Sequence, residues 1–255
     1  MTDPSPTALT HLAAEAVDAG LLLDFDGVLS PIIDRAGDAR ILPGNAELLE
    51  RIARRLRAVA VLSGRPTAFL RDRVRANGIS LIGSYGLEDA PEAQSWLPQI
   101  ASATDSLQQI FAGAVGVLVE TKPVGVSVHW RMAPDRAWAE ADITTAVTRI
   151  AADTGLEPVG GKLVLELRPP LAVDKGTALR AFAARHDLRL VVYAGDDEAD
   201  EPALRAVREI GGYALLVHHG GETPAAITDL ASEVIHGVEG FQVWLRALAG
   251  RLELS

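Results

Sequence analysis

The stretch Leu21-Leu22-Leu23-Asp24-Phe25-Asp26-Gly27-Val28-Leu29-Ser30-Pro31-Ile32 constrains this chain more than any other. An apolar run this short, beside a glycine and a proline, suits a strand buried on both faces. Residues two apart in an extended strand share a face. Asp24 and Asp26 are therefore expected to converge beyond the strand tip. Gly27 lets the chain turn sharply, because glycine tolerates positive φ. The carboxyl end of a buried parallel strand is where open α/β sheets bind their ligands. Taken alone, the stretch fits an ordinary βα turn with an aspartate as helix cap equally well.

Composition narrows the function classes. A chain of 255 residues, 48% hydrophobic, builds one large domain or two modest ones. A net charge of −10 argues against nucleic acid as partner, since phosphate backbones need clustered Lys and Arg. A small phosphorylated substrate needs only a few local cations or a metal. The chain has no cysteine, which excludes disulfides and thiolate metal sites. The start, MTDPSPTALT, lacks the basic region of a signal peptide, and no apolar run approaches the roughly 20 residues of a membrane helix. The expectation is a soluble, cytoplasmic monomer with no membrane partner.

The rest of the chain supplies an alternating pattern. Residues 1–18 read as a frayed start and a short helix, and the key strand as about 20–25. Leu48, Leu49, Ile52 and Leu56 have helical spacing. Ala58–Leu62 reads as a strand ending at Ser63-Gly64-Arg65-Pro66, followed by a helix over 69–76. Ile79–Ile82 reads as a third strand, ending at Gly83-Ser84-Tyr85-Gly86. Strands alternating with helices argue for a doubly wound parallel sheet. Residues 87–97 read as an acidic loop. There follow a helix over 99–112, a hairpin over 117–130, a helix over 134–154 and a second hairpin over 156–168. That order does not continue a parallel sheet. Residues 88–171 are therefore expected to form an inserted α+β domain between core segments 1–87 and 172–255, with Pro169-Pro170 as a stiff exit. Alternation resumes with a helix over 175–186, a strand over 190–194, a helix over 199–209, a strand over 213–217, and short elements up to a closing helix over 239–249.

A second acidic group, Gly195-Asp196-Asp197-Glu198-Ala199-Asp200-Glu201, also follows an apolar run. If the two strands are neighbours, Asp24, Asp26, Asp196, Asp197 and Asp200 face one crevice. Like charges this close raise each other's pKa unless a cation sits among them. A hard divalent cation with oxygen ligands answers that need, and Mg²⁺ suits a few carboxylates, waters and a phosphate. Opposition to a helix dipole accounts for one acidic cluster but poorly for two. Ser63, at a strand tip, can donate to a phosphoryl oxygen or cap a helix. Lys175 stands at a helix start, where the dipole disfavours a cation, which hints at a ligand role.

DFDGVLSP, Ser63, Lys175 and GDDEAD resemble, in order, the motifs of the haloacid dehalogenase superfamily of phosphohydrolases. More narrowly the chain resembles the trehalose-6-phosphate phosphatases, from about residue 20 to the C-terminus. The narrower likeness is carried by Ser63-Gly64-Arg65, Gly83-Ser84-Tyr85-Gly86, Glu120-Thr121-Lys122, Ser127-Val128-His129-Trp130-Arg131, Gly161-Lys162, Glu166-Leu167-Arg168-Pro169, Asp174-Lys175-Gly176, and Gly195-Asp196-Asp197 with Asp200-Glu201. The resemblance implies a Rossmann-like core with an α+β cap that closes over it, and a sugar phosphate as substrate. It implies Asp24 as nucleophile, Asp26 as acid and then base, and Ser63 and Lys175 as holders of phosphoryl oxygens. It implies Mg²⁺ held by Asp24, the Asp26 backbone carbonyl and Asp196, with Asp197 or Asp200 supporting through water. Arg65, Glu120, Lys122, His129, Lys162 and Glu166 are the implied substrate contacts. The family usually has His at Tyr85, Tyr at Trp130, Thr at Ala199 and Thr at Val28. Tyr85 and Trp130 are expected to alter what the sugar pocket accepts. A dehalogenase is disfavoured because halide needs no acid at Asp26. A phosphatase for another sugar phosphate or a disaccharide-like natural-product phosphate, and a non-catalytic sugar-phosphate sensor, are the alternatives.

Overall fold

In the computed structural model, the described residues are 7–33, 36–161, 163–222 and 225–254. They fall into two compact units, Met1–Gly86 with Val173–Ser255, and Leu87–Ala172. The first segment carries α1 (Ala8–Ala14), β1 (Ala19–Leu23), α2 (Asn45–Ala53), β2 (Ala58–Leu62), α3 (Thr67–Val74) and β3 (Ser80–Ile82). The middle segment carries α4 (Leu97–Ile110), β4 (Leu118–Lys122), β5 (Gly125–His129), α5 (Arg136–Thr154), β6 (Glu157–Gly161) and β7 (Val164–Arg168). The last carries α6 (Lys175–Arg185), β8 (Leu190–Gly195), α7 (Glu201–Glu209), β9 (Tyr213–His218), α8 (Ala225–Thr228), β10 (Glu233–His236) and α9 (Gly237–Leu254).

The larger unit is α/β. Its sheet has the order β10-β9-β8-β1-β2-β3, and every described pairing in it is parallel. All five residues of β1 are buried. Leu21 and Leu23 pack with Leu49, Ile52, Phe241 and Leu245 on one face, while Leu22 packs with Leu179, Phe182 and Leu204 on the other. Burial on both faces is what a continuous leucine run requires, at ~1.5–3 kcal/mol per fully buried side chain. The chain proceeds from β1 outward to β3 on one side and from β8 outward to β10 on the other. The strand order therefore reverses at β1, and ligands of open α/β sheets bind in the crevice beyond such a reversal.

The smaller unit is an antiparallel sheet, β4-β5-β7-β6, with α4 and α5 packed on one face. Val126, Val128 and Leu167 face that core with Ile100, Leu107, Ile143 and Val147. On the opposite face Ser127 is fully buried. It lies beneath charged side chains that pair over it. Trp130 is a core residue of this unit, 4% exposed, so its ring is not offered to a ligand as expected.

Boundaries differ from expectation where local chemistry intervenes. The key strand stops at Leu23, although the Asp24 amide still donates to the Ala194 carbonyl at 2.9 Å. Pro91–Trp96, expected as loop, coils into a 3₁₀ turn leading into α4. Its proline near the first position suits a helical start. Among the short elements expected before the closing helix, α8 covers Ala225–Thr228, and residues 223–224 just before it lie outside the described residues.

Candidate active site

Parallel register brings the two acidic loops together. Leu23 pairs with Ala194, so Asp24 leaves β1 beside the point where Asp196 leaves β8. Ser63 follows β2 on the other side of β1. The turn after Asp26 depends on Gly27, at φ +73°. A Cβ there would lie 2.0 Å from the Asp196 Oδ2, so the Asp196 carboxylate packs directly on the glycine.

Lys175 sits at the centre. It opens α6 behind a capping box in which the Asp174 side chain accepts from the Thr177 amide. Its Nζ lies 2.9 Å from Asp24 Oδ2 and 2.6 Å from Asp200 Oδ1, and it is 2% exposed. Burial alone would lower the Lys175 pKa, but Asp200 and Asp24 overcome this and hold it well above the ordinary lysine value. The lysine that opposed the helix dipole is thus accounted for by two buried carboxylates.

Asp200 is the anchor of the second loop. Its Oδ1 also accepts from the Tyr193 hydroxyl, and its Oδ2 accepts from the amides of Asp196 at 2.8 Å and Asp197 at 3.2 Å. Asp197 caps the following turn, accepting from the Ala199 amide at 2.9 Å. Asp24, Asp196 and Asp200 each offer an oxygen within 4.8 Å of the others. Asp197 lies outside that group, and so does the Asp26 side chain. Burial chiefly, then Asp200 and Asp24, push Asp196 up to about 10. Burial likewise holds Asp24 well above the carboxylate range, with Lys175 opposing and Asp200 adding to the rise. Asp197 is raised by burial and by Asp200. Crowded carboxylates that prefer protons in the absence of a cation are a chemically suitable donor set for a hard divalent ion.

Asp26 does not share a partner with Asp24. Arg65 grips it through Nε at 2.7 Å and Nη2 at 2.8 Å. The guanidinium also lies 4.8 Å from the centre of the Phe69 ring. Ser63 is buried, and its hydroxyl accepts from the Arg65 amide at 3.3 Å. Next to it, Ser84 and Tyr85 hold positive φ, and their amides donate to the carbonyls of Arg65 and Ser63. Backbone held in this region concentrates at functional sites. A Cβ on Gly64 would lie 2.5 Å from the Tyr85 hydroxyl oxygen, so Tyr85 packs on the turn after Ser63.

The smaller unit carries its own polar row. Glu120 pairs with Ser127, and Ser127 with Glu166, across three strands. Lys122 Nζ lies 2.5 Å from Glu166 Oε2, and the Ser127 hydroxyl donates to the same oxygen at 3.2 Å. His129 Nε2 lies 2.8 Å from Glu120 Oε2. The side chains of Lys122 and Glu166 are each only 10% exposed. Lys162 lies outside the described residues.

Two residues at the larger site escaped the sequence reading. Tyr193 is a lone tyrosine in an aliphatic strand, and a buried tyrosine usually needs a partner for its hydroxyl, a signal that was available. His219, just beyond β9, carries no local signal; only the fold brings it to Gly27 and Asp196.

A parallel sheet that reverses at β1, with carboxylates after β1 and β8, defines a class of fold also found in a solved haloacid dehalogenase-like hydrolase from Bacteroides thetaiotaomicron, with TM-score 0.58 at 15% identity, covering 90% of this chain and 98% of that one. Within it, the chain belongs to the trehalose-phosphatase family, whose model matches residues 22–228. A Mycobacterium tuberculosis protein named as an uncharacterized glycosyl hydrolase is 38% identical over 81% of this chain and 17% of its own length. The trehalose-phosphate phosphatase of Mycolicibacterium paratuberculosis is 37% identical over 82% of this chain and 57% of its own length. The chain thus spans little more than half of that phosphatase and a small part of the other relative. A crystal structure of a trehalose-6-phosphate phosphatase related protein has the same fold, with TM-score 0.77 at 20% identity, covering 92% of this chain and all of that one.

Proposed function

We propose that this protein is a Mg²⁺-dependent phosphatase that hydrolyses trehalose 6-phosphate to trehalose and phosphate. The observation that carries the reading is the buried bridge from Lys175 to Asp24 and Asp200, beside Asp196. Asp24 attacks phosphorus, the bond to the sugar oxygen breaks, and an aspartyl-phosphate forms. Asp26 gives the departing oxygen its proton, since an alkoxide is a poor leaving group, and then takes one from the water that splits the intermediate. Lys175 holds Asp24 in place and, with Ser63, offers positive charge and a donor to phosphoryl oxygens. Asp24, Asp196 and the Asp26 backbone carbonyl are the groups that would hold Mg²⁺, with Asp197 or Asp200 in support. The bound ion would neutralise charge on the carboxylates and phosphoryl group. Asp200 already serves four donors, which suits an anchor better than a direct ligand.

Sugar recognition is assigned to the smaller unit, acting as a cap, through Glu120, Lys122, His129, Lys162 and Glu166. Arg65 is assigned to the substrate as well, by way of Asp26. The family relation and the named phosphatase relatives support the trehalose reading. Tyr85, packed on the turn after Ser63, favours a second reading, a phosphatase for a different sugar phosphate. The proposal includes a cytoplasmic monomer. Among the described residues no helix is long and apolar enough to cross a membrane.

The test is phosphate release with Mg²⁺ from trehalose 6-phosphate, glucose 6-phosphate and sucrose 6-phosphate. Preference for trehalose 6-phosphate, abolished by Asp24→Asn, supports the reading. Turnover of another member instead moves the substrate and keeps the chemistry. Binding without any turnover favours a sensor.

A further inference from the structure

His219 takes no part in the chemistry assigned above, yet it touches both acidic loops. It follows β9, and its Nε2 lies 2.8 Å from the Gly27 carbonyl oxygen. A carbonyl only accepts, so Nε2 carries the hydrogen and donates. The same nitrogen lies 3.8 Å from Asp196 Oδ2.

The significance lies in Gly27. Glycine has the least restricted backbone of any residue, and here it joins the Asp26 peptide to the next one at φ +73°. The Asp26 carbonyl lies in the planar peptide on one side of Gly27 and the Gly27 carbonyl in the peptide on the other, so the turn as a whole is fixed only if both peptides are held. The Gly27 amide donates to the Ser30 carbonyl at 2.8 Å, which secures one side. His219 secures the other. The Asp196 carboxylate lies against the Gly27 α-carbon, where even a methyl group would collide. Any swing of Gly27 therefore displaces Asp196 as well.

We propose that His219 is a positioning residue that locks the Asp26–Gly27 turn against Asp196 and so fixes the geometry of the cation-binding oxygens. The proposal rests on the Mg²⁺ reading above. It assigns His219 no proton transfer and no contact with substrate. Groups that orient metal ligands from outside the coordination shell typically change affinity by about 10–100-fold when removed.

The experiment is calorimetric titration of the substrate-free protein with MgCl₂, beside thermal melts without the ion. His219→Ala should weaken Mg²⁺ binding at least about tenfold with only a small change in the ion-free melt. His219→Gln, whose amide can donate from near the position of Nε2, should recover most of the affinity. Wild-type affinity in His219→Ala would overturn the proposal and leave the phosphatase reading intact. A lower ion-free melt with unchanged affinity would also overturn it, by showing a structural role only. Absence of Mg²⁺ binding in the wild type at millimolar concentration would overturn the cation reading and this proposal with it.

Discussion

Arg65 holds both carboxylate oxygens of Asp26, at 2.7 and 2.8 Å, while Asp24 two residues earlier is held by Lys175. The two aspartates of one motif therefore have separate cationic partners. The division suits the separate roles proposed for them, Asp24 as a nucleophile fixed in a buried pair and Asp26 as an acid nearer solvent. An acid is needed only when the leaving group is poor. Asp26→Asn should slow formation of the aspartyl-phosphate from a sugar phosphate by about 10²–10⁴-fold and from p-nitrophenyl phosphate much less, while hydrolysis of the shared intermediate slows alike for both. Arg65→Ala should fall on the same side with a smaller loss. Single-turnover kinetics of the first step on the two substrates checks this, and equal losses in that step would argue against acid catalysis by Asp26.

Lys175 is the only cation that bridges Asp24 and Asp200 among the described residues. Lys175→Met would leave two buried carboxylates without it. Breaking a buried pair in this way costs about 3–5 kcal/mol. Asp24→Asn removes one carboxylate and leaves the Lys175–Asp200 pair, so it should cost far less. Denaturant unfolding of both variants should show this order, while phosphate release falls to background in both. Equal stability of the two variants would mean that the bridge is not needed for the fold.

The core was legible because its signals are local. A leucine run buried on both faces, valines in β2 and acidic residues directly after β1 and β8 are consequences of where a parallel sheet puts apolar and polar groups. Lys175 was legible as a charge in the wrong place on a helix. What was not legible depends on partners distant in the chain. Nothing near Asp26 foretells that Arg65 takes it away from Asp24. Asp200 reads as another acidic residue, and only the fold gives it four donors. Trp130 was expected to alter the sugar pocket because the family it resembles usually has Tyr there, but it lies past the end of β5 and is buried in the core of the smaller unit.

The crowded carboxylates predict linkage between cation and protons. Burial, Asp200 and Asp24 push Asp196 up to about 10, and burial raises Asp24. An unfolded aspartate titrates near ~3.9. Between that value and the folded one, the native state binds more protons than the unfolded state. Ion-free stability should therefore fall as pH rises through this window. A bound divalent cation replaces those protons. Titration with MgCl₂ near neutral pH should release roughly one proton or more per ion, seen as a binding enthalpy that changes with the ionisation enthalpy of the buffer. A buffer-independent enthalpy would show that the site is already ionised.

Glu166 offers a test of sugar recognition that is separate from the chemistry. It accepts from Lys122 and from the buried Ser127, so its orientation is fixed before any ligand arrives. A fixed carboxylate suits recognition of sugar hydroxyls, because little side-chain freedom is lost on binding. A hydrogen bond to a charged group contributes about 1.5–3 kcal/mol. Glu166→Gln keeps the shape and removes the charge. It should raise KM for the preferred sugar phosphate by roughly 10–100-fold, since each ~1.4 kcal/mol is a factor of ten. Turnover of p-nitrophenyl phosphate, which has no sugar hydroxyls, should stay near wild type. Lys122→Met leaves the charge of a largely buried carboxylate supported only by Ser127, so its main effect should be a lower melting temperature. If Glu166→Gln instead slowed both substrates equally while the melt was unchanged, Glu166 would belong to the chemistry and not to the reading of the sugar.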